Sequence, residues 1–79
     1  MKIKIIISLK QNILDPQGET IKNALTQMAF ENITSVRQGK IIELELTLST
    51  RDEAMKYAED MAEKLLVNPT MERYQILLD

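Results

Sequence analysis

Met1-Lys2-Ile3-Lys4-Ile5-Ile6-Ile7-Ser8-Leu9-Lys10 is the stretch on which the fold turns. Ile3, Ile5, Ile7 and Leu9 alternate with Lys2, Lys4, Ser8 and Lys10, the period-two pattern of a strand with one buried face. Ile6 interrupts the polar face. The apolar run is about seven residues long and carries Lys4 inside it, short for a signal-peptide core and far short of a membrane span. The expectation is a cytoplasmic protein with no membrane partner.

Beyond this strand, Asp15-Pro16 supplies a helix start, with a capping carboxylate followed by a ring already set for the first helical position. Ile21, Ala24, Leu25 and Met28 then fall at i, i+3, i+4 and i+7, one apolar stripe that must face something. Gly18 stands in the first turn. A glycine there weakens the helix by about 1 kcal/mol relative to Ala, which points to a backbone approached closely by another strand or chain. A second β region follows in two pieces, Ile33 to Gln38 and Lys40 to Leu48, parted by Gly39. In the second piece Ile42, Leu44, Leu46 and Leu48 alternate with Ile41, Glu43, Glu45 and Thr47. Gly39 suits either a hairpin tip or a bulge in one long strand, and a hairpin is taken as the expectation.

Thr50-Arg51-Asp52-Glu53 has the form of a capping box, so a second helix starts near Arg51. Ala54, Ala58, Met61, Ala62, Leu65 and Leu66 hold helical spacing until Asn68-Pro69 stops it. A last strand runs from Met71 to Leu78, with Tyr74, Ile76 and Leu78 on one face. The order β-α-β-β-α-β, without linker or repeat, predicts a single domain over residues 1–79. Its fold class is α+β: a two-layer, ferredoxin-like sandwich with a four-stranded antiparallel sheet and two helices on one face. In that topology the face bearing Lys2, Lys4 and Lys10 lies beside Glu43 and Glu45, and Ile6, Ile41, Met71 and Leu77 are left on the open side. That much wet apolar surface implies self-association.

Composition narrows the chemistry. The 79 residues contain no Cys and no His, which removes cysteine nucleophiles, disulfides, Ser-His-Asp triads and the usual zinc sites. Twelve acids against ten bases give a net charge of −2, so no basic excess exists to release counterions from nucleic acid. Aromatics are 4%, too few to stack bases or rings. Asp15 and Glu19 form an imaginable acid-base pair, but acids at a helix N-terminus ordinarily serve the cap and the dipole. Lys10, Arg37 and Lys40, with amides near Gly39, make a candidate anion site with phosphate as the expected ligand, against the ordinary reading of solvated strand charges. Glu59, Asp60 and Glu63 are a candidate hard-cation cluster that a surface helix also explains. The methionines suit gap filling in a core. The residues by themselves describe an interaction module without its own chemistry. A dimeric regulatory or metabolite-sensing module of ferredoxin-like fold is the alternative, and a small isomerase or hydrolase using Asp15 and Lys40 is a third class.

Three strings in register carry a resemblance: Leu14-Asp15-Pro16-Gln17-Gly18-Glu19, Ser35-Val36-Arg37-Gln38-Gly39-Lys40-Ile41-Ile42-Glu43-Leu44, and Glu63-Lys64-Leu65-Leu66-Val67-Asn68-Pro69. Over essentially the full chain the sequence resembles the PurS family, the small subunit of phosphoribosylformylglycinamidine synthase. It departs from the family pattern at Ala29, where glycine is usual, and at Thr70-Met71-Glu72, where the family favours Val-Ile-Glu or similar.

The resemblance implies a subunit of an ATP-dependent amidotransferase in purine synthesis. In that family a glutaminase subunit (PurQ) releases ammonia, and a synthetase subunit (PurL) uses ATP and magnesium to convert formylglycinamide ribonucleotide to the amidine. The small subunit carries neither site, binds no cofactor itself, and acts as a homodimer or tetramer that joins the two and helps transfer ammonia. For the matching residues it implies structural or partner-contact roles. Asp15 caps the first helix, Pro16 fixes its first turn beside Gln17, and Gly18 admits a neighbouring chain. Arg37 and Lys40 present charge around Gly39 toward a partner, and Asn68-Pro69 sets the return into the last strand.

Overall fold

β1 (Lys2–Leu9) is paired on both edges, with β2 (Lys40–Glu45) on one side and β3 (Glu72–Leu78) on the other. Both pairings are antiparallel, and Ile5 lies opposite Ile42 and Ile76. The computed structural model describes residues 1–78; Asp79, the last residue of the domain expected over residues 1–79, lies outside the described residues. The alternation in β1 works as the sequence implies. Ile3, Ile5 and Ile7 are the largest fully buried side chains, each stabilising the fold by roughly 1.5–3 kcal/mol.

The layer over them is α2 (Arg51–Met61), prolonged by a π-helical turn at Ala62–Leu66. Ala54, Ala58 and Ala62 recur every fourth residue and are fully buried against the isoleucines, so the helix presents methyl groups and sits close to the sheet. Thr50 caps it, its hydroxyl accepting from the Glu53 amide at 3.3 Å. At the far end Val67 is extended and Asn68 organises the return. The amides of Met71 and Glu72 donate to the Asn68 carbonyl, and its side-chain oxygen accepts from Thr70. The expected roles of Asn68-Pro69 and of the Tyr74, Ile76 and Leu78 face agree with this.

Three details differ from the sequence reading. First, the sheet among the described residues has three strands, not four: residues 31–39 form no strand, and Gly39 is not the tip of a hairpin. Glycine at that position does not take a positive φ, which the favoured two-residue hairpin turns demand. Second, β2 ends at Glu45, although Leu46 prolongs the ladder by exchanging hydrogen bonds with the Met1 amine and carbonyl.

Third, only one helix among the described residues covers the sheet. On α1 (Pro16–Gln27) Gly18 is the one buried residue, and the stripe built on Ile21, Ala24, Leu25 and Met28 lies largely in the open. The molecule is correspondingly long, 49 × 25 × 15 Å, with a radius of gyration of 16.0 Å where a compact chain of its length has about 12 Å. No helix among the described residues is long and apolar enough to cross a membrane.

Candidate partner interface

Asp15 is the residue from which the arm departs. It caps α1 with Oδ1, which accepts from the Gly18 amide at 2.9 Å, while Oδ2 accepts from the Gln38 amide at 2.6 Å. Asp15 is only 4% exposed. The Gln38 and Gly18 amides hold its pKa below the ordinary 3.8, against a smaller opposing effect of burial, with the positive charge of Arg37 adding to the depression.

Around this carboxylate the first two motif strings close on each other. The space a Gly18 side chain would need is filled by the Val36 carbonyl oxygen, and a Cβ on Gly39 would lie 2.7 Å from the carbonyl oxygen of Ile7. The Arg37 guanidinium donates from Nη1 to the Ile13 carbonyl at 3.0 Å and from Nη2 to that of Lys10 at 2.9 Å. Lys22 adds a bond from Nζ to the Thr34 carbonyl at 3.3 Å. Residues 34–38 are therefore strapped to the β1–α1 connection. This is why they do not fold back on β2, and why the expected hairpin fails.

The sequence-derived anion site does not assemble as expected. Lys10 Nζ donates to the Pro69 carbonyl at 2.7 Å, and Lys40 is paired with Glu72 at 3.5 Å. Arg37 stays near Gly39, and like Lys10 it has no carboxylate partner among the described residues. Pro16 starts α1 as expected, and exposed Gln17 lies beside Asp15 and Gly39 at the rim of a shallow cavity. Glu19 sits in the first turn of α1, and the Asp15 carboxylate is bonded to the Gly18 and Gln38 amides rather than to it. Glu59, Asp60 and Glu63 line an open groove with Tyr57, but no group of three or more acidic side chains closes to hold a metal ion among the described residues. Glu63 instead accepts from the Tyr74 hydroxyl at 3.3 Å; burial, then this carboxylate, raises the Tyr74 pKa above 10.

Two surfaces remain open. One is the arm: Ile21, Met28 and Phe30 are 38%, 67% and 55% exposed. It ends in a Schellman turn, in which the Phe30 amide donates to the Leu25 carbonyl and the Ala29 amide to that of Thr26. Ala29 takes φ 71° there, so the alanine noticed at a usual glycine position occupies the left-handed turn residue. The other is the helix-free side of the sheet, where Ile41, Met71 and Leu77 are exposed as expected. Lys2 faces Glu45 and Lys4 faces Glu43 in register, although neither pair closes to an ion pair among the described residues. Sequence reasoning missed Arg73, which lies opposite Ser8 on this side; the alternation of β3 with Tyr74 inward was the available signal.

With this geometry in view, comparison with known proteins is informative. The family model PurS, phosphoribosylformylglycinamidine (FGAM) synthase, matches residues 2–79. The phosphoribosylformylglycinamidine synthase subunit PurS of Bacillus subtilis is 40% identical over 74 residues, covering 94% of this chain and 87% of the relative. The crystal structure of Methanocaldococcus jannaschii PurS, one of the subunits of formylglycinamide ribonucleotide amidotransferase, superposes with a TM-score of 0.89 at 33% identity, covering 99% of this chain and 94% of that one. A chain in the structure of PurLQS from Thermotoga maritima gives 0.87 at 33% identity, with 96% and 93% covered. The α+β ferredoxin-like architecture, the three motif strings and the match over nearly the whole length agree: the chain belongs to the PurS family and is a subunit of phosphoribosylformylglycinamidine synthase in purine biosynthesis.

Proposed function

We propose that this chain is the non-catalytic joining subunit of its synthase, a cytoplasmic homodimer that bridges a glutaminase (PurQ) and a synthetase (PurL). In that role it assists ammonia transfer in the ATP-dependent conversion of formylglycinamide ribonucleotide to formylglycinamidine ribonucleotide. ATP and magnesium belong to the synthetase; this chain binds no cofactor and has no turnover of its own.

The observation that carries the reading is the arm. An amphipathic helix strapped away from its own sheet, beside an inner sheet face on which Ile42 and Leu44 stay half-buried, describes a chain completed by another chain. The matching occupant is a second copy, each copy laying α1 over the open half of the other's sheet. The assembled Thermotoga structure supports a place for such a unit among larger subunits.

The test is amidine synthesis by the matching glutaminase and synthetase with and without this protein, driven in parallel by glutamine and by ammonia. Glutamine-dependent activity is expected to need the chain, and ammonia-driven activity to proceed without it. Equal glutamine-dependent rates with and without the chain would overturn the proposal.

A further inference from the structure

We propose a phosphate-monoester site on the helix-free side of the sheet, in the cavity where the strapped segment crosses the end of β1. The cavity measures about 350 Å³, and Ser8, Gln11, Ser35, Arg37, Gln38 and Arg73 supply its polar lining. No carboxylate lines it among the described residues.

Two guanidiniums in a lining without a carboxylate among the described residues set this cavity apart; Lys2 and Lys4 also form no ion pair among those residues, but the hollow they line holds Glu43 and Glu45 as well. In a chain with more acids than bases, Lys40 and Lys64 are paired with Glu72 and Asp60, and Lys10 is spent on a carbonyl. Arg37 and Arg73 have no carboxylate partner among the described residues, and both line this one hollow. Two guanidiniums lining one hollow repel each other less when an anion lies between them.

Their donors are also partly fixed in place. Arg37 is held by the carbonyls of Leu9, Lys10 and Ile13, which leaves its Nε–H and one Nη1 hydrogen for a ligand. Arg73 donates from Nε to Ser8 Oγ at 3.4 Å, which orients the group and leaves its Nη hydrogens free of protein partners among the described residues. Ordering entropy has thus been lost before the ligand arrives.

The donor set selects the ligand class. One guanidinium fork satisfies a carboxylate, whereas the Nη pair of Arg73, the separate Nε–H and Nη1–H of Arg37, two hydroxyls and two glutamine side-chain amides supply donors from several directions, as a tetrahedral dianion requires. The cavity volume is equivalent to roughly twelve waters at ~30 Å³ each, more than a bare phosphate needs, so the carbon side of an ester fits as well.

The experiment is a titration of the ¹⁵N-labelled full chain, at constant ionic strength, with inorganic phosphate, ribose 5-phosphate and acetate. Saturable shifts are expected at the Ser8, Ser35, Gln38 and Gly39 amides, with the ester at least as tight as phosphate and acetate more than tenfold weaker. Arg73→Gln, which alters no bond of the Asp15 strap, is expected to weaken phosphate binding at least tenfold while leaving the rest of the spectrum in place. Shifts that never saturate, an equal response to acetate, an ester weaker than free phosphate, or Arg73→Gln binding within twofold of the parent chain would each overturn the assignment.

Discussion

Asp15 and Gln38 are 23 positions apart and 2.6 Å from each other, carboxylate oxygen to amide nitrogen, and through that bond one side chain sets both the start of α1 and the path of the segment entering β2. Asp15→Asn keeps the size but offers one acceptor where two amides ask for one each. The variant is expected to unfold at lower urea concentration at pH 7. Because the folded pKa lies below 3.8, the unfolded chain binds more protons between the two values, so the Asp15 contribution is complete above 3.8 and is lost as pH falls through the folded value. The gap between parent and variant midpoints should therefore narrow as pH falls below 3.8; a gap that stays constant on acidification would count against the account.

Gly18→Ala places a methyl group on the Val36 carbonyl, which is backbone and already fixed by its neighbours. The expected loss is about 1–3 kcal/mol, the usual range for overpacking, despite alanine being the better helix former. Chemical denaturation decides it, since propensity alone predicts a gain of about 1 kcal/mol.

Ala29→Gly is the converse case. Alanine at φ 71° carries a left-handed cost of roughly 1–2 kcal/mol, partly offset by the greater freedom of glycine in the unfolded chain. A net stabilisation of about 0.5–1 kcal/mol is expected by urea titration, with oligomeric state unchanged.

Arg37 and Lys40, both first considered as partner-facing charges, separate under mutation. Arg37→Ala removes three carbonyl bonds of the strap and is expected to cost the isolated protein about 1–2 kcal/mol, less than a buried charged network because the side chain is exposed. Lys40→Ala removes one exposed ion pair to Glu72 and should cost under about 1 kcal/mol. Thermal denaturation of the two single variants gives the comparison.

Ile21→Asp and Met28→Asp test the arm. Both residues are exposed in the single chain, so a surface substitution there would ordinarily change stability by no more than about 0.5 kcal/mol. If α1 covers a second copy, each variant should instead shift mass measured by light scattering from dimer toward monomer. An unchanged dimer would assign the contact elsewhere.

Ile3, Ile5 and Ile7, the Thr50 and Asp15 caps and the Lys-to-Glu register were legible because each depends on spacing within a few residues or on one strand pairing. The stripe on α1 was legible too, but a stripe states only that a face will be covered, not that the covering surface lies in the same chain. Gly39 misled for a related reason. Its local turn signal competes with bonds from Asp15 and Arg37, and those partners are fixed by tertiary structure rather than by neighbours in sequence. Arg73 gained its meaning only when the β1–β3 register set it opposite Ser8.

The central position of β1 also bears on how the chain is made. β1 leaves the ribosome before either of the neighbours it needs, and Ile5 must wait for Ile42 and then for Ile76. No hairpin shelters it meanwhile, so for seconds of synthesis an isoleucine-rich strand offers two bare edges to any other nascent chain. Lys2 and Lys4, which form no ion pair among the described residues, are placed where charge deters such pairing. Their use is greatest before the fold exists.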